Sequence, residues 1–193
     1  MTDRKLVAGA FAMVIAVTGL QAQAPQETRT AGAADSQTFV NEMAVAGMAE
    51  VELGTLATQR AQNPDVKAFG QMMIKDHTQA NSELTQIAKQ MKATVPTQLD
   101  MKHRDLRDRL SKLNGAEFDR EYMTAMVAGH EEVLAKLKAK TGATSTSTSA
   151  ARPAESVATT GSQDAALTQW ASKALPTVEQ HLDRAKALQQ KVK

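Results

Sequence analysis

The chain has no cysteine, one tyrosine, one tryptophan and four phenylalanines among 193 residues. Without cysteine there is no disulfide, no thiolate metal site, no cysteine nucleophile and no cysteine-borne lipid anchor. At 3% aromatics, against many Ala, Leu and Met, the composition favours helices packed through small residues over strands. Charge of one sign is lacking too: 23 Lys and Arg stand against 21 Asp and Glu, which gives no electrostatic case for nucleic acid. Nor does the chain contain Gly-x-Ser-x-Gly, a phosphate loop, a dinucleotide fingerprint or His-Glu-x-x-His. No catalytic residue is therefore assigned, and the reading leans away from an enzyme.

What is present begins with an apolar run. Met1-Thr2-Asp3-Arg4-Lys5 is followed by the uncharged stretch Leu6 to Leu20 and by Ala22-Gln23-Ala24, a small-x-small pattern just before Pro25. Spanning a bilayer takes about 20 apolar residues, so the run suits a signal-peptide core better than a membrane helix. Residues 1–24 are expected to be a secretory signal cut near residues 22–24. That sends the mature chain to the periplasm or outside the cell, with no integral membrane domain and with peripheral outer-membrane association still open.

Residues 25–34 show no apolar period and read as a disordered leader. A first helix is expected from Asp35 or Ser36 to about Gln62. Asn63-Pro64 caps a second that runs to about Lys92, and Asp100 to Leu113 is a short helix or crossover. Asn114-Gly115-Ala116-Glu117 resembles a capping box for a third long helix ending near Lys140. Residues 144–163 are Ser/Thr-rich and read as a disordered loop, after which Asp164 caps a helix to about Val192, bent at Pro176. The expected fold is all-α, an up-down antiparallel four-helix bundle occupying residues 35–193, with a short crossover helix.

Steps of three and four residues give one apolar stripe per long helix, and each stripe holds one ionisable residue near its middle: Glu50, His77, His130 and His181. Glu50 lies 13 residues before Asn63 and His77 lies 13 after Pro64, so an antiparallel pair puts them at one level. His77 lies 15 before Lys92 and His130 lies 15 after Gly115, again one level if the crossover returns the chain to the same end. His181 falls within about one turn of that layer. His103 falls outside it, in a crossover whose interleaved Lys, Arg and Asp read as a solvated face.

Three imidazoles and a carboxylate are donors for one divalent first-row ion: zinc, copper, iron or manganese. Glu52, Asp76, Tyr122, Glu131 and Glu179 flank the layer and could orient the ligands. Met73 and Met126 sit one turn before His77 and His130 and read as core filler. A second reading stays open, in which the four polar residues form a buried layer that fixes helix register in a structural or interaction module of the cell envelope. Partners expected on these readings are an envelope protein or a second copy of the chain, and the roles expected are metal handling or stress tolerance.

The chain also resembles a bacterial family, domain of unknown function 4142. The matching motifs are Ala49-Glu50-Val51-Glu52-Leu53-Gly54, Asp76-His77-Thr78-Gln79-Ala80-Asn81, Phe118-Asp119-Arg120-Glu121-Tyr122-Met123 with His130, and Leu175-Pro176-Thr177 with His181-Leu182. The resemblance implies a ferritin-like four-helix fold, and the family often carries the label "predicted outer membrane protein". Two departures stand out. Ferritin-like di-iron proteins place Glu three residues before His on two helices, whereas Ile74, Val127 and Val178 occupy those places here. The family usually has an acidic residue before the third-helix histidine, where this chain has Gly129.

Overall fold

Asn63 and Pro64 act as the sequence pattern predicts. The Asn63 side chain accepts the Asp65 N–H at 2.8 Å, and Pro64 takes the first helical position, where no amide donor is needed. The computed structural model describes the backbone of residues 24–142 and 158–193, and the side chains of residues 32–142 and 164–193. Among these residues the protein is all-α. Its helices are α1 (Ala24–Arg60), α2 (Pro64–Met91), α3 (Met101–Leu110), α4 (Gly115–Gly142) and α5 (Ala158–Lys191). No strand occurs among them, only an isolated bridge between Ala61 and Gly115. Residues 1–23, nearly all of the expected signal, and residues 143–157 of the Ser/Thr-rich run lie outside the described residues.

Element boundaries differ from the sequence reading in three places. α1 begins at Ala24 and takes in residues 25–34, expected to be a disordered leader; this alanine-rich stretch has its one proline in the first turn, where it costs no hydrogen bond. α5 begins at Ala158, ahead of Asp164, and runs on through Pro176. The Asn114 capping box does not form: the Asn114 side chain instead accepts from the Arg60 guanidinium at 3.0 Å.

The four long helices pack as a bundle. α1 and α2 are antiparallel and very close, since a Cβ on Gly54 would lie 2.7 Å from the Gly70 carbonyl and one on Gly70 would lie 2.7 Å from Ala57. Along α1 and α4, Glu42 pairs with Lys136, Glu50 adjoins His130 and Arg60 reaches Asn114, so these two helices are also antiparallel. α5 runs against α4 and along α1, through Lys186 to Glu131 and Ser36 to Asp164. α4 therefore has the direction of α2, and the order is up, down, down, up in place of the expected up-down alternation. The cause is the crossover. Thr94 is bonded to Gln37 at one end of α1, Arg107 of α3 reaches Glu52, and Gly115 meets Ala61 at the other end, so the chain between α2 and α4 travels the whole length of α1.

Two apolar clusters fill the interior. One, near the α1–α2 turn, is built around Leu53, Phe69, Met73, Tyr122 and Met126; the other, at the far end, around Phe39, Met43, Leu84, Leu137 and Leu167. The expected polar layer lies between them on every long helix, since Glu50, His77, His130 and His181 each fall between cluster members of their own helix.

Candidate metal centre

Helical spacing alone brings the three histidines to one level, and packing turns them toward one another. Ring centroids are 5.9 Å apart for His77 and His130 and 5.5 Å for the other two pairs. One ring nitrogen from each histidine lies within 4.8 Å of the other two. His130 and His181 are buried, and His77 is partly exposed with its Nε2 buried.

Hydrogen bonds decide which nitrogens of His130 and His181 keep a lone pair. His130 Nδ1 lies 2.8 Å from the Met126 carbonyl, which can only accept, so Nδ1 donates and Nε2 carries the lone pair. His181 Nε2 lies 3.0 Å from Asp76 Oδ2, which leaves Nδ1 with the lone pair. The remaining atoms, His77 Nε2, His130 Nε2 and His181 Nδ1, are buried without a protein partner. Burial, with smaller contributions from the neighbouring His130 and His181 rings, pushes the His77 ring down to about 3. His181 is also lowered by burial, partly offset by its bond to Asp76. The environment of His77 and His181 thus favours the neutral imidazole, the form that binds metal.

The donor set fits a divalent transition ion. Ion-to-nitrogen distances of about 2.0–2.1 Å put tetrahedral ligand atoms about 3.3 Å apart, so one ring nitrogen of each histidine need only close inward from a present span of 4.8 Å or less. Two of the rings already carry the outer carbonyl or carboxylate bond that orients metal-bound histidine.

Of the other expected site residues, some adjoin the cluster and some do not. Glu50 is buried but outside the cluster: its Oε1 is 3.7 Å from His130 Nδ1, the nitrogen turned away from the other rings, and its Oε2 has no partner. Burial raises the Glu50 carboxyl, against the opposing pull of His130 and His103. Asp76 adjoins the cluster through its bond to His181. Tyr122 is fully buried, stacked on Phe118 with its hydroxyl unpartnered, and burial raises it well above its ordinary value. Glu52 pairs with Arg107, Glu179 with Lys138 and Glu131 with Lys186, and none of the three joins the cluster. Met73 and Met126 are core residues.

Two residues have roles that the sequence reading missed. Asp119 is buried and accepts the Gln62 and Asn63 backbone N–H groups at 3.1 and 2.9 Å, pinning the α1–α2 turn onto α4. Its signal was present, because it lies four residues before Met123 and extends the α4 stripe by one step. His103, expected in an exposed crossover, has a side chain only 21% exposed, bonded to Asp100 and close enough to Glu50 to lower its carboxyl.

A family model described as "Domain of unknown function (DUF4142)" matches residues 21–154. The chain belongs to that family. The matched segment of this DUF4142 protein includes Glu50, His77 and His130; His181 lies beyond it. No curated protein and no solved structure matches the chain. No helix among the described residues is long and apolar enough to cross a membrane.

Proposed function

We propose that this protein is an exported metal-binding bundle that holds one divalent transition ion, zinc, copper, iron or manganese, through His77, His130 and His181. The observation that carries the proposal is the convergence of three histidines, each of which has one buried ring nitrogen with no protein partner. A register-fixing polar layer would bond to itself, because unpaired buried polar atoms each cost about 1–3 kcal/mol. Here the inward nitrogens do not pair, while outward ones on His130 and His181 do. A bound cation satisfies all three at once.

The N-terminal signal pattern supports a periplasmic or secreted location, and the absence of cysteine suits an oxidising compartment. Ferritin-like architecture is part of the proposal: a single long crossover between two antiparallel helix pairs is the connectivity of that fold. The di-iron chemistry of such folds is not carried over, since Ile74, Val127 and Val178 replace the glutamates it needs. Metal handling or stress tolerance in the cell envelope is the role this combination favours.

Melting of the metal-free protein with zinc, copper, iron or manganese tests the reading. An ion bound only by the folded state at 100 times its Kd adds about 2.7 kcal/mol of stability, and His77→Ala and His130→Ala should abolish that gain. Melting unchanged by all four ions would leave the register-only layer as the answer.

A further inference from the structure

Glu50 belongs to two cavities. The larger, about 790 Å³, lies between α1, α3 and α4, and its rim includes exposed residues such as Glu42, Lys102, Asp105 and Glu132. The smaller, about 40 Å³, lies on the histidine side and is lined by residues that include His77, His130 and Asn81. Met43, Ala46, Glu50 and Val133 line both, and Glu50 alone of the four is ionisable. Its Oε2 is buried without a partner. Gly129 also lines the outer cavity, and a Cβ there would meet Glu50 Oε1 at an ordinary contact distance of 3.6 Å.

Resting on the metal reading above, we infer that the outer cavity is the path by which the divalent ion reaches the histidines, with the Glu50 carboxylate as the relay in the wall between the two chambers. A hydrated cation crossing a wall otherwise made of Met43, Ala46 and Val133 must shed water, which is costly without a substitute donor. A carboxylate supplies hard oxygen and negative charge at that point. The rim charges are largely paired off, Lys102 with Glu132, Lys136 with Glu42 and His103 with Asp100, so they set up no strong barrier of one sign. A relay that is not a resident ligand alters the rates of loading and release and leaves the equilibrium unchanged.

The test follows cobalt(II) loading of metal-free full-length protein by its visible absorption, then release into excess chelator. Two variants are compared with the native chain: Glu50→Gln, which keeps shape and removes charge, and Ala125→Phe, which fills the outer cavity away from Glu50. Both should load and release about tenfold or more slowly, the scale by which charged clefts raise on-rates, with stoichiometry and Kd within about threefold of the native values. If Ala125→Phe does not fold, the Glu50→Gln rates decide alone. Native rates in the variants would overturn the inference and mean that the ion arrives past the partly exposed His77. Faster release with unchanged loading in Glu50→Gln would overturn it by making Glu50 a ligand. No cobalt uptake by the native protein would instead refute the metal reading on which the inference rests.

Discussion

The most informative single residue is His77, because its ring is held neutral by burial and by two neighbouring rings. Above pH 6.5 it is neutral in both folded and unfolded chains and contributes no pH dependence. Between 6.5 and about 3 the unfolded chain takes up a proton that the folded chain refuses, so stability falls as pH falls through that window. Denaturant titration of metal-free protein at several pH values should show this decline, and His77→Leu should flatten it. Asp76→Asn should weaken metal binding about tenfold to a hundredfold by removing the carboxylate that orients His181. A titration at constant pH measures this, and unaltered affinity would remove Asp76 from the site. Gly129 is helical with only one ordinary contact awaiting a Cβ, so Gly129→Ala should stabilise by about 0.5–1 kcal/mol.

At the scale of elements, the close α1–α2 crossing and the Asp119 clasp carry the predictions. Gly54→Ala forces a Cβ against the Gly70 carbonyl and should cost about 1–3 kcal/mol in chemical denaturation. Asp119→Ala strands the two turn amides and should cost about 2 kcal/mol or more. What was legible here was local. Asn63-Pro64 and Asp100 stand where they cap helices because a cap depends on a few adjacent residues. Asn114 failed as a cap because its side chain is claimed by Arg60, 54 residues away, a competition no local pattern contains. The early start of α1 was missed for a related reason: apolar periodicity marks packed helix, and a helix can continue past the part that packs.

At the scale of the whole molecule, the polar layer was legible and the helix order was not, and one count explains both. His77 lies 13 residues from one end of α2 and 14 from the other. A histidine so near the middle meets His130 at the same level whichever way α4 runs, so spacing fixes the layer and is blind to direction. Direction is set by where the crossover ends, through contacts such as Arg107 with Glu52 and Gly115 with Ala61. Glu50 shows the same limit. Its level followed from counting, yet its carboxylate meets the outer side of His130 and stands beside the cluster, because side-chain direction depends on helix rotation.

Metal analysis of the protein purified without chelator tests the central claim most directly. The proposed metal site predicts about one equivalent of a divalent transition ion per chain, lost in His130→Ala while the helical circular dichroism is retained. Native protein that is free of metal and takes up none of zinc, copper, iron or manganese on dialysis would contradict it.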